Sequence, residues 1–437
     1  MIEQDTRPQR ALVLQPRYQT NAHSVDYQLE EAIGLTEALG LDTVITEIAA
    51  IRDIRPNTYL AGGKVRELSE IVSAEDINVI VLNASLTPIQ QRNLETALKA
   101  KVIDRQGLIL EIFALRAATA EGRLQVELAR QTYERSRLVR TWTHLERQRG
   151  GRGFLAGPGE RQIESDRRML DDRISRLKSK LEDVRRTRGL QRQKRQRAPE
   201  RIVALVGYTN AGKSTLFNAL TEGEVFAEDM LFATLDTTLR ILKLPNGKPC
   251  LLSDTVGFIS DLPTELVAAF QATLEEVKLA DLLVHVRDIS DELTEDRRED
   301  VLDVLDSIGA GPKHDQATIE VWNKSDMLTP ARRAELADAA AAMTAAAHPS
   351  YLVSAVTGHG LEDLRLGIES ELSRSDATLE VTLEPAQHAA KAWLHDHGDV
   401  IQESIKSDGS VAVVARVTEA DAGKFQSRFP SVATHRV

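Results

Sequence analysis

The sequence is poor in the residues that staple small secreted proteins together and in the runs that hold proteins in membranes. Cysteine occurs once, at Cys250, so no disulfide forms within the chain and no cysteine-built metal cluster is possible. That usage fits a reducing compartment. No apolar run approaches the ~20 residues that a membrane-spanning helix needs. The opening Met1-Ile2-Glu3-Gln4-Asp5 is polar and charged where a secretory signal carries an apolar core. The alanine-rich stretch 339–347, interrupted by Thr344, reads as a surface-docked helix. The expected location is the cytoplasm, with association at the membrane periphery left open. What is present is an ordinary globular composition, 42% hydrophobic and 28% charged, over 437 residues, enough for two to four domains.

Acidic residues outnumber basic ones to give a net charge of −11, but the excess is uneven. Residues 121–200 hold 22 Lys and Arg against 12 Asp and Glu, a net of +10 inside an acidic chain. A basic module of this kind points either to a polyanionic partner or to a solvated helical face.

The pattern divides the chain into four parts. Residues 1–110 alternate short apolar runs (11–14, 43–45, 79–82) with helical stretches (27–39, 64–72, 89–98), which predicts an N-terminal α/β subdomain with parallel strands. Residues 111–198 read as an antiparallel helical hairpin. Leu138, Trp142 and Leu145 fall at helical spacing on one arm. Ile163, Leu170, Ile174, Leu177, Leu181 and Val184 form a coiled-coil-like seam on the other. At 1.5 Å per residue an arm over 121–147 reaches about 40 Å. Its tip, residues 149–160, carries five glycines, Arg149, Arg152 and the pair Phe154-Leu155, more than a plain turn requires. Residues 188–199 are basic and Gln-rich without apolar periodicity and read as a linker. Residues 199–373 form a second α/β block, and 374–437 a small C-terminal α+β domain. The fold class is therefore α/β multidomain.

The second block carries chemistry. The apolar run 202–206 feeds Gly207-Tyr208-Thr209-Asn210-Ala211-Gly212-Lys213-Ser214-Thr215, a GxxxxGK[ST] loop between strand and helix. Its backbone N–H groups suit phosphates at a helix N-terminus. Lys213 is expected on the β and γ phosphates and Ser214 on Mg²⁺. A second apolar run ends at Asp254-Thr255-Val256-Gly257, where Asp254 is expected to hold Mg²⁺ through water and the Gly257 N–H to sense the γ-phosphate. Asn323-Lys324-Ser325-Asp326 follows a third run. There the Asp326 carboxylate can accept from guanine N1–H and the 2-amino group, a donor pair that adenine lacks. Ser354-Ala355-Val356 fits a further guanine-contacting loop. Four motifs in this order favour GTP and GDP over adenine nucleotides.

Between the first two motifs lies Phe232-Ala233-Thr234-Leu235-Asp236-Thr237-Thr238. A threonine here should bind Mg²⁺ and order the loop while the γ-phosphate is present. Thr234 is preferred, with Thr237 and Thr238 as competitors. The residue after Gly257 is Phe258, where Ras-like enzymes carry the glutamine that orients the attacking water. Hydrolysis is therefore expected to depend on Lys213, Thr234 and Gly257, and to be slow without an activating partner.

Nearly the whole chain resembles the HflX family of translation-related GTPases. The resemblance rests on Gly62-Gly63-Lys64-Val65, Val102-Ile103-Asp104-Arg105, the run 108–114, Gln125-Val126-Glu127-Leu128-Ala129 and Gly157-Pro158-Gly159-Glu160. Residues 232–236 and 254–259 add to it. It implies Thr234 as the switch threonine, binding to the large ribosomal subunit, stimulation by ribosomes and splitting of stalled or idle ribosomes under stress. It also places the hairpin tip near ribosomal RNA, with Arg149, Arg152, Phe154 and Arg161 as candidate contacts, and Ala156 standing where the family more often has arginine. A glycine-rich arginine tip and a stacking Phe suit single-stranded RNA on physical grounds as well. A large-subunit assembly factor and an RNA-remodelling NTPase remain alternatives. A monomer suits either ribosomal role.

Overall fold

The computed structural model describes residues 8–18, 25–117, 119–148, 158–195, 201–221, 238–259, 271–374, 376–406 and 409–436. Strands β1 (Arg10–Arg17), β2 (Asp42–Ala50), β3 (Val79–Leu82) and β4 (Lys101–Asp104) form a parallel sheet in the order β2-β1-β3-β4. The middle of β1 and all of β3 are buried, as continuous apolar runs in a parallel sheet require. Helices α1 (Val25–Ala38), α2 (Gly62–Ala74) and α3 (Pro88–Leu98) cover it. The start of α3 is fixed by a reciprocal cap: the Gln90 N–H donates to the Thr87 hydroxyl, the Thr87 N–H donates to the Gln90 side chain, and Pro88 sets the first turn.

Helix α4 (Arg105–Arg116) begins where Asp104 accepts from the Gly107 N–H at 2.9 Å. Its Leu108, Ile109, Ile112 and Phe113 are buried with α1 and β1, so the expected division at residue 110 falls inside one helix. Helices α5 (Ala120–Gln148) and α6 (Pro158–Arg195) pack on each other. Arg135 pairs with Asp171 at 2.6 Å, a pairing centred on the intervening tip as an antiparallel hairpin demands. On α6, Ile174 and Leu181 are buried, with Leu170, Leu177 and Val184 half-buried. The helix runs to Arg195, through most of the stretch expected to be linker, because Arg, Lys and Gln form helix well without an apolar face. The tip residues 149–157, and the side chains of Leu138, Trp142, Leu145 and Ile163, lie outside those described.

The central layer is a six-stranded sheet in the order β10-β9-β8-β5-β7-β6. It contains β5 (Ile202–Gly207), β6 (Thr238–Lys243), β7 (Pro249–Asp254), β8 (Leu282–Asp288), β9 (Thr318–Asn323) and β10 (Ser350–Leu352). Only β6 runs antiparallel to its neighbour. Helices α7 (Lys213–Thr221), α8 (Gln271–Lys278), α9 (Thr294–Ser307), α10 (Pro330–Ala345) and α11 (Leu361–Ser373) flank it. The C-terminal unit has an antiparallel sheet in the order β12-β13-β11-β14, from β11 (Ala377–Leu383), β12 (Asp399–Ile405), β13 (Val411–Val417) and β14 (Ala433–Arg436). Helices α12 (His388–His397) and α13 (Glu419–Arg428) cover it and close a separate core around Leu379, Trp393 and Phe425.

The first and second sheets do not have separate interiors. One apolar cluster runs from Val13, Leu35 and Phe113 to Tyr208, Phe258, Leu283 and Leu305. The phosphate loop therefore grows from a core that the N-terminal layer helps to build.

Candidate functional site

The loop 207–212 leaves the carboxyl end of β5 and turns into α7. Gly212 has φ +88°, and a Cβ there would stand 2.3 Å from Asn323 Nδ2, so only glycine fits. Lys213 begins α7, is buried, and donates to the carbonyl oxygens of Gly207 (3.1 Å) and Tyr208 (2.8 Å). Burial pulls its ammonium down to about 8 against the opposing attraction of Asp254. Ser214 donates its hydroxyl to Asp254 Oδ2 at 2.7 Å, joining the first motif to the second. Asn210, exposed at φ +60°, forms the outer corner of the loop.

The second motif is pinned to the same strand. The Thr255 hydroxyl donates to Leu205 O at 2.5 Å. The Thr209 N–H donates to Phe258 O at 2.7 Å, and the Phe258 N–H to Gly207 O at 3.1 Å. Val256 is buried. Gly257 lies against the loop so closely that a Cβ would meet Thr209 Cγ2 at 2.9 Å and Lys213 Nζ at 3.0 Å. Beside it, Thr209 Oγ1 is buried without a hydrogen-bond partner in this structure. Phe258 is 2% exposed and packs into the core with Tyr208 and Ile259. An apolar ring held in the core offers no hydrogen-bond donor or acceptor to a water.

At the other end, Asn323 closes β9 and is buried. It donates from Nδ2 to Ala211 O (2.9 Å) and accepts from the Ala355 N–H on Oδ1 (3.0 Å). It thus ties the phosphate loop to the loop after β10 and acts through both. Lys324, at φ +64°, is held by Asp288 at 2.7 Å. Buried Ser325 donates its N–H to Val353 O at 3.1 Å, and Arg333 donates Nε to Ser325 O at 2.9 Å. Asp326 is exposed, with one carboxylate oxygen accepting from the Ser354 hydroxyl at 2.6 Å. Ser354 also accepts from the Thr357 N–H at 3.1 Å, and Val356 is 78% exposed at the rim.

The structure thus brings together residues 207–215, 254–257, 323–326 and 354–356 along one edge of the sheet. Thr215 is half-buried in the first turn of α7. Residues 232–237, including the switch candidate Thr234, lie outside the described residues, while Thr238 opens β6 opposite Asp254. The candidate RNA contacts Arg149, Arg152 and Phe154 also lie outside them; Arg161 is in α6, with its side chain not described. Sequence reasoning missed Asp288, Arg333 and the partners of Tyr208 in the N-terminal layer. A carboxylate ending the buried strand β8 was a visible signal for Asp288, whereas nothing local marked the others.

A GxxxxGK[ST] loop, a DxxG run and an NKxD run at the carboxyl ends of one sheet define a P-loop GTPase. Four family models cover the chain: GTP-binding GTPase N-terminal over 26–114, GTP-binding GTPase Middle Region over 116–195, 50S ribosome-binding GTPase over 202–324, and HflX C-terminal domain over 339–436. GTPase HflX of Magnetococcus marinus is 48% identical over 417 residues, covering 95% of this chain and 94% of that protein. GTPase HflX of Escherichia coli is 40% identical over 410 residues, 94% of each. The chain belongs to the HflX family of GTPases. Among solved structures, the SsGBP–GDP complex matches with a TM-score of 0.50 and 24% identity over 84% of this chain and 99% of that one, a likeness of fold.

Proposed function

We propose that this GTPase binds the large ribosomal subunit in the cytoplasm, as a monomer, and uses GTP to split idle or stalled ribosomes. The observation that carries the dependence on a partner is Phe258. The position where Ras-like enzymes orient the attacking water carries an apolar side chain spent on core packing, so the water would have to be ordered by another group. The net charge of +10 over residues 121–200 and the description of the 202–324 family as ribosome-binding favour the large subunit as that partner.

At the site, Lys213 and the N–H groups of 207–215 would take the phosphates, and the Asp326 carboxylate, oriented by Ser354, would accept from the guanine N1–H and 2-amino group. The hydroxyls of Ser214 and Thr234 would be the protein ligands of Mg²⁺, with the Asp254 carboxylate, which accepts from Ser214 at 2.7 Å, holding the ion through water, an all-oxygen set that a hard cation takes. Mg²⁺ bound there would neutralise charge growing on the β and γ phosphates. The Gly257 N–H would report the γ-phosphate to the rest of the chain.

The test is sedimentation of intact ribosomes after incubation with the protein and GTP, GDP or a non-hydrolysable GTP analogue. Splitting with GTP or the analogue, and none with GDP, is expected. Binding to free large subunits without any loss of intact ribosomes would replace splitting by a role in assembly.

A further inference from the structure

We propose that Glu31, contributed by the N-terminal layer, is a positioning residue for the phosphate loop, acting through Tyr208. The proposal rests on guanine-nucleotide binding and is independent of the ribosome. Tyr208 is part of the loop itself: its carbonyl accepts from Lys213 at 2.8 Å, and its neighbours Gly207 and Thr209 carry both backbone bonds to Phe258. Its side chain, 4% exposed, leaves the site and donates its hydroxyl to Glu31 Oε1. Glu31, on α1, is 7% exposed. Its other oxygen accepts from Arg105 at 2.7 Å, and Arg105 in turn donates to Asn83 Oδ1 at 2.9 Å. Asn83 donates to Gln15 Oε1 at 2.6 Å. The loop is therefore tethered to the carboxyl ends of β1, β3 and β4.

A second grip comes from the other side. The Arg297 guanidinium, on α9, lies 5.1 Å from the Tyr208 ring centroid and 4.8 Å from that of Tyr27, and donates Nε to the Tyr27 hydroxyl at 3.0 Å. Tyr27 is one turn before Glu31 on α1. The Tyr208 side chain is thus fixed at its tip by one layer and across its face by another.

A buried carboxylate is an expensive way to fill an interface, since apolar side chains of similar volume are often as stabilising. Here the arrangement places a charge-assisted hydrogen bond on the one loop side chain whose backbone holds Lys213. With the tether intact, the carbonyls of 207 and 208 stay where Lys213 needs them. With it cut, the loop should hold phosphate less well, and nucleotide should leave faster.

The test compares full-length wild type with Tyr208→Phe, which keeps the ring and loses only the hydroxyl, and with Glu31→Gln, which keeps an acceptor for it. Thr418→Ala is the control: it removes the hydroxyl that caps α13 by accepting from the Asp421 N–H at 3.1 Å, in the C-terminal unit with its separate core, and touches neither Glu31 nor Tyr208. Release of fluorescent GDP, single-turnover hydrolysis and Tm are measured for each. Tyr208→Phe is expected to release GDP about tenfold faster, consistent with loss of one charge-assisted hydrogen bond. Glu31→Gln is expected to fall between it and wild type, and the double variant to be no worse than Tyr208→Phe alone. The control is expected to lower Tm without changing release. Release within twofold of wild type for Tyr208→Phe, or acceleration by the control equal to that of Tyr208→Phe, would overturn the proposal and leave the contact as interface packing. Absence of any GDP binding by the wild type would instead sink the nucleotide-binding reading itself.

Discussion

On the proposed reading, Asp326 and Phe258 carry two choices, which base the enzyme accepts and how fast it works alone. The Asp326 carboxylate offers two acceptors, and Ser354 holds it in place. Asp326→Asn replaces one acceptor with a donor and faces the guanine N1–H and 2-amino group with a mismatch. GTP affinity is expected to fall at least about 100-fold, with xanthosine triphosphate, whose C2 carries an oxygen, becoming the better ligand in a competition assay. Phe258 makes the opposite kind of prediction. A glutamine placed there by analogy with Ras-like enzymes would enter a core position that is 2% exposed, not the phosphate site. Phe258→Gln should lower stability by about 3 kcal/mol or more and leave unstimulated hydrolysis no faster than wild type. A faster single-turnover rate would show that the side chain reaches the water after all. The first of these residues was legible from its motif, because the chemistry of Asn323-Lys324-Ser325-Asp326 is local. The orientation of Phe258 was not, because it depends on the hydrogen bonds to Gly207 and Thr209 that draw its backbone to the phosphate loop.

At the scale of elements, strand β8 shows how a buried polar group records the sheet around it. His285 faces Glu320 on β9, with Arg287 and Arg298 close by. Burial first, then the neighbouring cations, push its imidazole down to about 3, although Glu320 pulls the other way. Glu320 is itself held at about 2, its own burial outweighed by Arg287 and Arg298. The signs agree. The unfolded chain protonates His285 near 6.5 while the folded chain resists, so stability present above pH 6.5 is lost as pH falls toward 3. Glu320 adds a loss as pH falls from 4.5 toward 2. The unfolding free energy from denaturant titrations should therefore drop between pH 6.5 and 4.5 with a slope of up to about 1.4 kcal/mol per pH unit. His285→Phe should flatten that window, and an unchanged slope would place the acid sensitivity elsewhere. None of this was legible beforehand, since a lone histidine in an apolar run gives no hint of its strand neighbours. The elements themselves were readable where periodicity was strong, as in β3, β5 and the α6 seam. They were misjudged where composition replaced periodicity, as in the basic stretch that continues α6 to Arg195.

At the scale of the whole molecule, the nucleotide site and the basic hairpin share one framework. Asp104 caps α4 and accepts from Tyr133 of the hairpin arm, while the adjacent Arg105 holds Glu31 and, through it, Tyr208 of the phosphate loop. The base of the hairpin is therefore separated from the loop 207–212 by a few buried side chains. The sequence, with Tyr208 and Glu31 177 residues apart, could not disclose that link. It makes stimulation by a bound partner the central expectation. The direct test is GTP hydrolysis by the full-length protein with and without purified large ribosomal subunits, with co-sedimentation of the same mixtures. Hydrolysis raised at least tenfold by the subunits, with pelleting favoured by a non-hydrolysable GTP analogue over GDP, is the expected result. Unchanged hydrolysis and no pelleting in either nucleotide state would contradict the ribosome as the partner.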